Sequence, residues 1–206
     1  MKTMTVTKQS LLEDVKNHKM TVLVDTEVSR ILRFDNHLDG MYWFDIVTWG
    51  RNLVITGDCG TYVFCRSNDM FDFFRGRHDP DLAYLAEKLV AVDKRDGHEK
   101  YDEETFRERV LEWAEEFAAE YFDLEEGVNV DERKLFFERI NEEVLCDLGS
   151  QGMDLSKALY FEWDGHLVFQ DFWEVDLTEY TPRFVWCCHA IVWAIDQYDK
   201  MKETEK

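Results

Sequence analysis

MYWFDIVTWGRNLVITGDCGTYVFCRSNDMFDFFR, residues 41–75, packs aromatic and β-branched side chains into short runs separated by turn-forming residues. Such runs read as strands, and their spacing predicts a three-stranded antiparallel meander that feeds a helix. In residues 42–49 both alternating faces are apolar apart from Asp45 and Thr48, which predicts a central strand covered on both sides. Gly50-Arg51-Asn52 turns the chain into 53–56, and Gly57-Asp58-Cys59-Gly60 turns it again into 61–65. Asn68 or Asp69 can cap the helix that follows, with Met70, Phe73 and Phe74 on one face and Gly76 at its end.

Toward the N-terminus, Ser10 with Glu13 three residues on forms the capping-box pattern of a helix over 10–16. Residues 21–24 and 28–34 read as strands, and 36–40 as a turn. On the other side, Pro80 opens a helix to about 92 that turns Leu82, Leu85, Leu89 and Val92 inward. Residues 93–102 read as a charged loop. The clearest helix spans 103–123, where Phe106, Val110, Trp113, Phe117 and Tyr121 recur at spacings of four and three. A further helix over 131–148 presents Leu135, Phe136, Ile140, Val144 and Leu145. Residues 150–154 read as a break, and 155–173 as a short helix with an extended piece at 167–169.

The last helix, 182–200, has Thr181 as its cap and Pro182 at its first position. Its first turns have almost no polar face, and a helix apolar all round is buried all round. The expected fold is therefore α+β: an antiparallel β-meander sheet with several packed helices, including a buried C-terminal helix. The expected organisation is a single compact domain over 1–206. Within it, 1–78 is mainly β, 79–148 is the acidic helical part and 149–206 carries the C-terminal core helix.

Composition narrows the function. Fifteen per cent aromatic residues supply a core and argue against disorder. Forty-four acids against twenty-four bases leave a formal net charge of −20. Such a chain repels nucleic acid and anionic membranes and attracts basic partners. No apolar signal core opens the sequence, and no apolar run reaches the roughly 20 residues of a membrane span. Five cysteines without framework spacing read as reduced thiols of a cytoplasmic protein.

DIVTWGRNLVITGDCGTYVFCRSNDMFDFFR (45–75) and FQDFWEVDLTEYTPRFVWCCHAIVWAIDQYD (169–199) resemble a family of small acidic proteins encoded by bacteriophages and prophages. The resemblance covers both ends of the chain well and the acidic middle poorly. It implies expression in the cytoplasm of a bacterial host among accessory phage genes, which often antagonise host defences. It brings no catalytic residue with it.

Charge is the strongest compositional signal. Residues 79–147 hold 23 acids and 9 bases, a net of −14. Within them Glu104, Glu108, Glu112, Glu116 and Glu120 recur every four residues, with Glu115 beside them. On a helix these form a ridge opposite the aromatic stripe. Two readings stand: a solvated acidic face, or a surface that mimics nucleic-acid phosphates and docks on a basic protein. Steps of about 6 Å along a helix are sparser than one phosphate per roughly 3.4 Å of a DNA strand. Mimicry would therefore also draw on Glu125, Glu126, Asp131, Glu132, Glu138 and Glu142.

Other chemistry is weaker. Cys187-Cys188-His189 lies inside the buried helix, where adjacent residues point about 100° apart, a poor arrangement for two ligands of one ion. Cys59 sits in a glycine-flanked turn and has no histidine patterned near it. No P-loop, dinucleotide, nucleophile-elbow or zinc-protease motif is present. The resulting expectation is a non-enzymatic phage accessory protein, without cofactor or metal, that binds a basic host protein. That partner would be a component of a nucleic-acid-processing defence system. The alternatives are a small cytoplasmic enzyme with an unrecognised site, or a self-associating structural protein, a homo-oligomer built on exposed aromatics.

Overall fold

Six strands run in chain order across one antiparallel sheet: β1 (Lys19–Thr26), β2 (Ser29–Asp35), β3 (Phe44–Trp49), β4 (Asn52–Gly57), β5 (Gly60–Cys65) and β6 (Leu89–Ala91). The computed structural model describes residues 6–38, 40–77, 79–123 and 130–205. The chain is α+β, and it divides into two units: residues 1–100 with 180–206, and residues 101–179. These boundaries differ from the three-part division at 78 and 148. The chain enters the second unit after β6 and returns only for the C-terminal helix.

The meander follows its turn residues. Gly50, at the first of two loop positions between β3 and β4, has φ +50°, as a tight hairpin requires. Gly57 lies under the β3 backbone, where an added Cβ would stand 2.1 Å from the Trp43 carbonyl oxygen. One face of the sheet is the core face. Phe34 stacks on Phe44 with ring centroids 4.9 Å apart, and Leu32, Ile46, Ile55 and Tyr62 form one buried row across four strands. Strand β3 is covered on that face alone: Val47 is half-buried and Trp49 is 49% exposed, contrary to the expected double cover.

Helices α1 (Lys8–Asp14), α2 (Met70–Phe74), α3 (Leu82–Ala86) and α7 (Pro182–Thr204) complete the first unit. Thr7, not Ser10, caps α1: the Ser10 amide donates to Thr7 Oγ1 at 3.2 Å and the Thr7 amide to Ser10 Oγ at 2.9 Å. Asp69 caps α2 by accepting from the Phe71 amide. The expected helix to residue 92 stops at Ala86. Residues 89–91 instead pair with β5, whose edge would otherwise carry unpaired backbone groups, and Val90 and Val92 turn out to solvent.

Helix α7 closes this core. The Phe184 amide donates to Thr181 Oγ1, with Pro182 in the first turn as expected. No residue from 181 to 195 is exposed. Phe184 meets the rings of Tyr62, Phe64 and Tyr180, and Trp186 meets Tyr42 and Phe44. Trp186 also donates its indole N–H to Asp14 of α1 at 2.9 Å.

The second unit has its own core. Helix α4 (Glu103–Asp123) presents Phe106, Val110, Ala114, Ala118 and Phe122, so the buried stripe runs strictly in steps of four. Trp113, Phe117 and Tyr121 flank it, half-buried, rather than forming its centre. Helix α5 (Val130–Arg139) continues into a π-helical turn, Ile140–Val144, in which the Leu145 amide donates to the Ile140 carbonyl. Phe136 is the hub, with Phe117, Phe122 and Trp163 rings between 5.1 and 5.6 Å away. Leu135, expected inside, is 50% exposed because it lies one residue off that face. Helix α6 (Gln151–Leu159) is the short helix expected from residue 155, but it begins four residues earlier, inside the stretch 150–154 expected as a break. A two-residue hairpin follows, with Asp164 and Gly165 both at positive φ.

One buried ion pair ties β2 to α2. Arg30, 7% exposed, gives Asp69 two hydrogen bonds of 2.8 and 2.9 Å, and its guanidinium lies 4.5 Å from the Phe71 ring centroid. Tyr198 of α7 donates to Asp25 at 2.9 Å, beside the same guanidinium. Burial pushes the Asp69 carboxyl up, but the hydrogen bonds from Arg30 and the Phe71 amide outweigh it and hold the group below its usual value. A carboxyl with a lowered folded pKa adds stability above its unfolded value near 3.9, and the gain is lost as pH falls through the folded value. Arg30→Ala is expected to cost on the order of 3 kcal/mol in urea unfolding at pH 7, because it leaves Asp69 unpaired. The difference from the parent should shrink as the pH is taken below about 4.

Candidate interaction surface

The second unit holds 24 acids and 6 bases, a net charge of −18 in residues 101–179. The remaining 20 acids and 18 bases leave the first unit at −2. The acidity of the chain is thus a property of one unit. The stretch 79–147 straddles the two units.

Helix α4 displays the charge. Glu104, Glu108, Glu112, Glu115, Glu116 and Glu120 are all exposed. Residues two apart on a helix differ by about 200°, so the glutamates at every fourth position lie across the axis from Phe106, Val110, Ala114, Ala118 and Phe122. Both rows step by four and drift together around the helix. The burial of one row keeps the other in solvent along its whole length.

Two of the six are paired: Glu112 with Arg109 and Glu115 with Arg133, each at 2.7 Å. Glu104, Glu108, Glu116 and Glu120 have no ion pair among the described residues. Asp131, Glu132, Glu138 and Glu142 are also exposed, with Glu138 on Lys134 at 3.3 Å. Glu125 and Glu126 lie outside the described residues. Of the unit's cations, Arg109, Arg133, Lys134 and Arg139 each hold a carboxylate. Lys157 donates to the carbonyls of Cys146 and Asp147 and stands 3.7 Å from Asp154.

Asp154 is a buried acid that sequence reasoning did not single out. It is fully buried, and its Oδ2 accepts from the Tyr101 hydroxyl at 2.8 Å and the Gly149 amide at 3.0 Å. Burial and the neighbouring carboxylate push the Tyr101 hydroxyl well above its usual value, so it stays a donor. The arrangement holds the start of α6 against the segment before it.

The thiols and histidines do not converge. Burial raises the Cys59 thiol to about 12, and the Cys187 and Cys188 thiols are also pushed far up by burial. Cys187 Sγ faces the Cys59 carbonyl at 3.7 Å. No group of three or more metal-ligating side chains occurs among the described residues. A groove of about 370 Å³ in the first unit includes His189, but Arg75 on its wall is held by Asp199, and Lys200 by Asp196. Burial lowers the His189 pKa. His78 lies outside the described residues. Among the described residues no helix is long and apolar enough to cross a membrane.

No family model, no curated protein and no solved structure matches this chain.

Like charges four apart on a helix cost roughly 0.2–0.5 kcal/mol per pair. Glu108→Gln with Glu116→Gln should therefore raise stability in thermal or urea unfolding at low salt. The gain should fade at 0.5 M salt, where screening removes the repulsion.

Proposed function

We propose that this chain is a non-enzymatic acidic phage accessory protein, and that its second unit binds a basic protein of the bacterial host. The observation that carries the reading is the confinement of 18 net negative charges to residues 101–179, displayed on a helix whose row of glutamates is mostly unpaired. Carboxylates about 6 Å apart lie within one Debye length of roughly 10 Å at 0.1 M salt. A partner therefore meets their summed potential rather than isolated charges. Such a field steers association and suits a protein built to hold nucleic acid, and on this reading the partner is a component of a nucleic-acid-processing defence in the host cytoplasm.

The α4 row alone is too sparse to copy a duplex. Mimicry of a duplex would also need the exposed acids of α5 and the π-helical turn. The resemblance at residues 45–75 and 169–199 supports the phage context, and the charge supports the kind of partner.

The test is capture from bacterial lysate at about 50 mM salt, where the Debye length exceeds 10 Å, and elution at 0.5 M. The parent chain should retain a basic protein that elutes with salt. Charge reversal of Glu108, Glu112 and Glu116 to Lys should reduce that retention at least tenfold while the circular dichroism spectrum is unchanged. Equal retention by the variant would refute the role of this surface.

A further inference from the structure

An antiparallel sheet with helices on one side usually turns polar side chains to the other. The face of this sheet opposite α7 departs from that rule. The strand register carries one unbroken apolar row across all six strands. Val24 stands opposite Ile31, Ile31 opposite Val47, Val47 opposite Val54, Val54 opposite Val63, and Val63 opposite Ala91. Every member is half-buried or exposed, whereas their inward neighbours Leu32, Ile46 and Ile55 are at most 1% exposed. Trp49 shares the face by alternation along β3 and is 49% exposed, and Trp43, just before the strand, is 36% exposed. Leu23, at the β1 bulge beside Val24, is 51% exposed.

The neighbouring row is polar but satisfied from within. Arg33 gives Asp45 two hydrogen bonds of 2.9 and 2.8 Å, and Thr56 pairs with Thr61 at 2.7 Å. The face thus offers apolar surface and a neutralised polar strip.

We propose that this face is the contact between two copies of the chain, packed sheet against sheet. Charge selects the occupant. The unit that carries the face has a net charge of −2 beside −18 for the other, so it neither gathers a basic partner nor strongly opposes its own copy. Shape agrees with charge. Two copies of one sheet share the same twist, which is the condition for aligned face-to-face packing at about 10 Å. The row is mostly β-branched, and such side chains are already stiff at χ1, so they lose little freedom on contact.

Area sets the strength. Six strands at about 4.8 Å spacing span roughly 24 Å, and strands of about six residues are roughly 20 Å long. Each copy therefore contributes roughly 500 Å², and the pair roughly 1,000 Å², the lower bound for a specific interface. The dimer is a weak, reversible one, with a dissociation constant on the order of 10–100 µM. It strengthens with salt, since two chains of charge −20 repel at long range. The acidic-surface reading has the opposite salt response.

Sedimentation equilibrium of the full chain from about 1 to 300 µM, at 50 and 500 mM salt, tests the proposal over the concentrations its area implies. A monomer–dimer equilibrium that tightens at high salt is expected. Val54→Lys, at the centre of the row, and Trp49→Ser, at an exposed position, should each weaken it at least tenfold while circular dichroism stays unchanged. Glu108→Gln should leave the dimer intact, which separates this contact from the acidic surface. A chain that stays monomeric throughout overturns the proposal, and so does a dimer that both sheet variants leave unaltered.

Discussion

The first unit depends on the fit of α7 against the inward face of the sheet. A meander of six strands has no closed core of its own, and its buried row needs a second layer. Helix α7 supplies it from the far end of the chain, with no exposed residue between 181 and 195. Its aromatics reach three regions at once: Phe184 toward β5, Trp186 toward β3 and α1, and Tyr198 toward α2 and Asp25. The Arg30–Asp69 pair sits at the last of these, between the rings of Phe71 and Tyr198. Burying a charge there is tolerable only because both oxygens of Asp69 and the aromatic faces meet the guanidinium.

This dependence has a topological consequence. Strands β1–β5 precede α7 by more than a hundred residues, and the intervening 101–179 segment must be looped out before the core can close. Loop-closure entropy grows slowly, by about 0.6 kcal/mol per doubling of length, so a long insertion is thermodynamically cheap. The insertion also folds around its own centre at Phe136. A unit with its own core, entered and left by single strands of chain, can carry a composition quite unlike its host. That is why −18 and −2 can coexist in one chain.

Where local chemistry decides, the sequence was legible. The meander was marked by Gly50 and by Gly57 through Gly60, α4 by its apolar period, and α7 by Thr181-Pro182 and its uniform apolarity. Where distant pairing decides, it was not. Leu82, Leu85, Leu89 and Val92 carry a helical spacing, yet Leu89 joins a strand because β5 offers it hydrogen bonds. Arg30 and Asp69 are 39 residues apart, and nothing near either announces the other. The Asp164-Gly165 hairpin was a missed local signal, since that dipeptide favours positive φ at both positions. The glutamate row of α4 was legible as a pattern. Its confinement to a separate unit was not, because the unit boundary is set by which residues share a core.

Magnitudes explain how such a row persists. Four like-charge steps along α4, from Glu104 to Glu120, cost about 1–2 kcal/mol together, less where Arg109 answers Glu112. The opposite row buries Phe106, Val110 and Phe122, each contributing about 1.5–3 kcal/mol. The helix can therefore carry the repulsion without losing its fold. Helix stability does not account for the unpaired carboxylates either, since like charges four apart cost free energy rather than add it. The row, repeated at one spacing along one exposed ridge, is thus set neither by the core nor by helix stability, and its proposed role lies in what it offers to solvent.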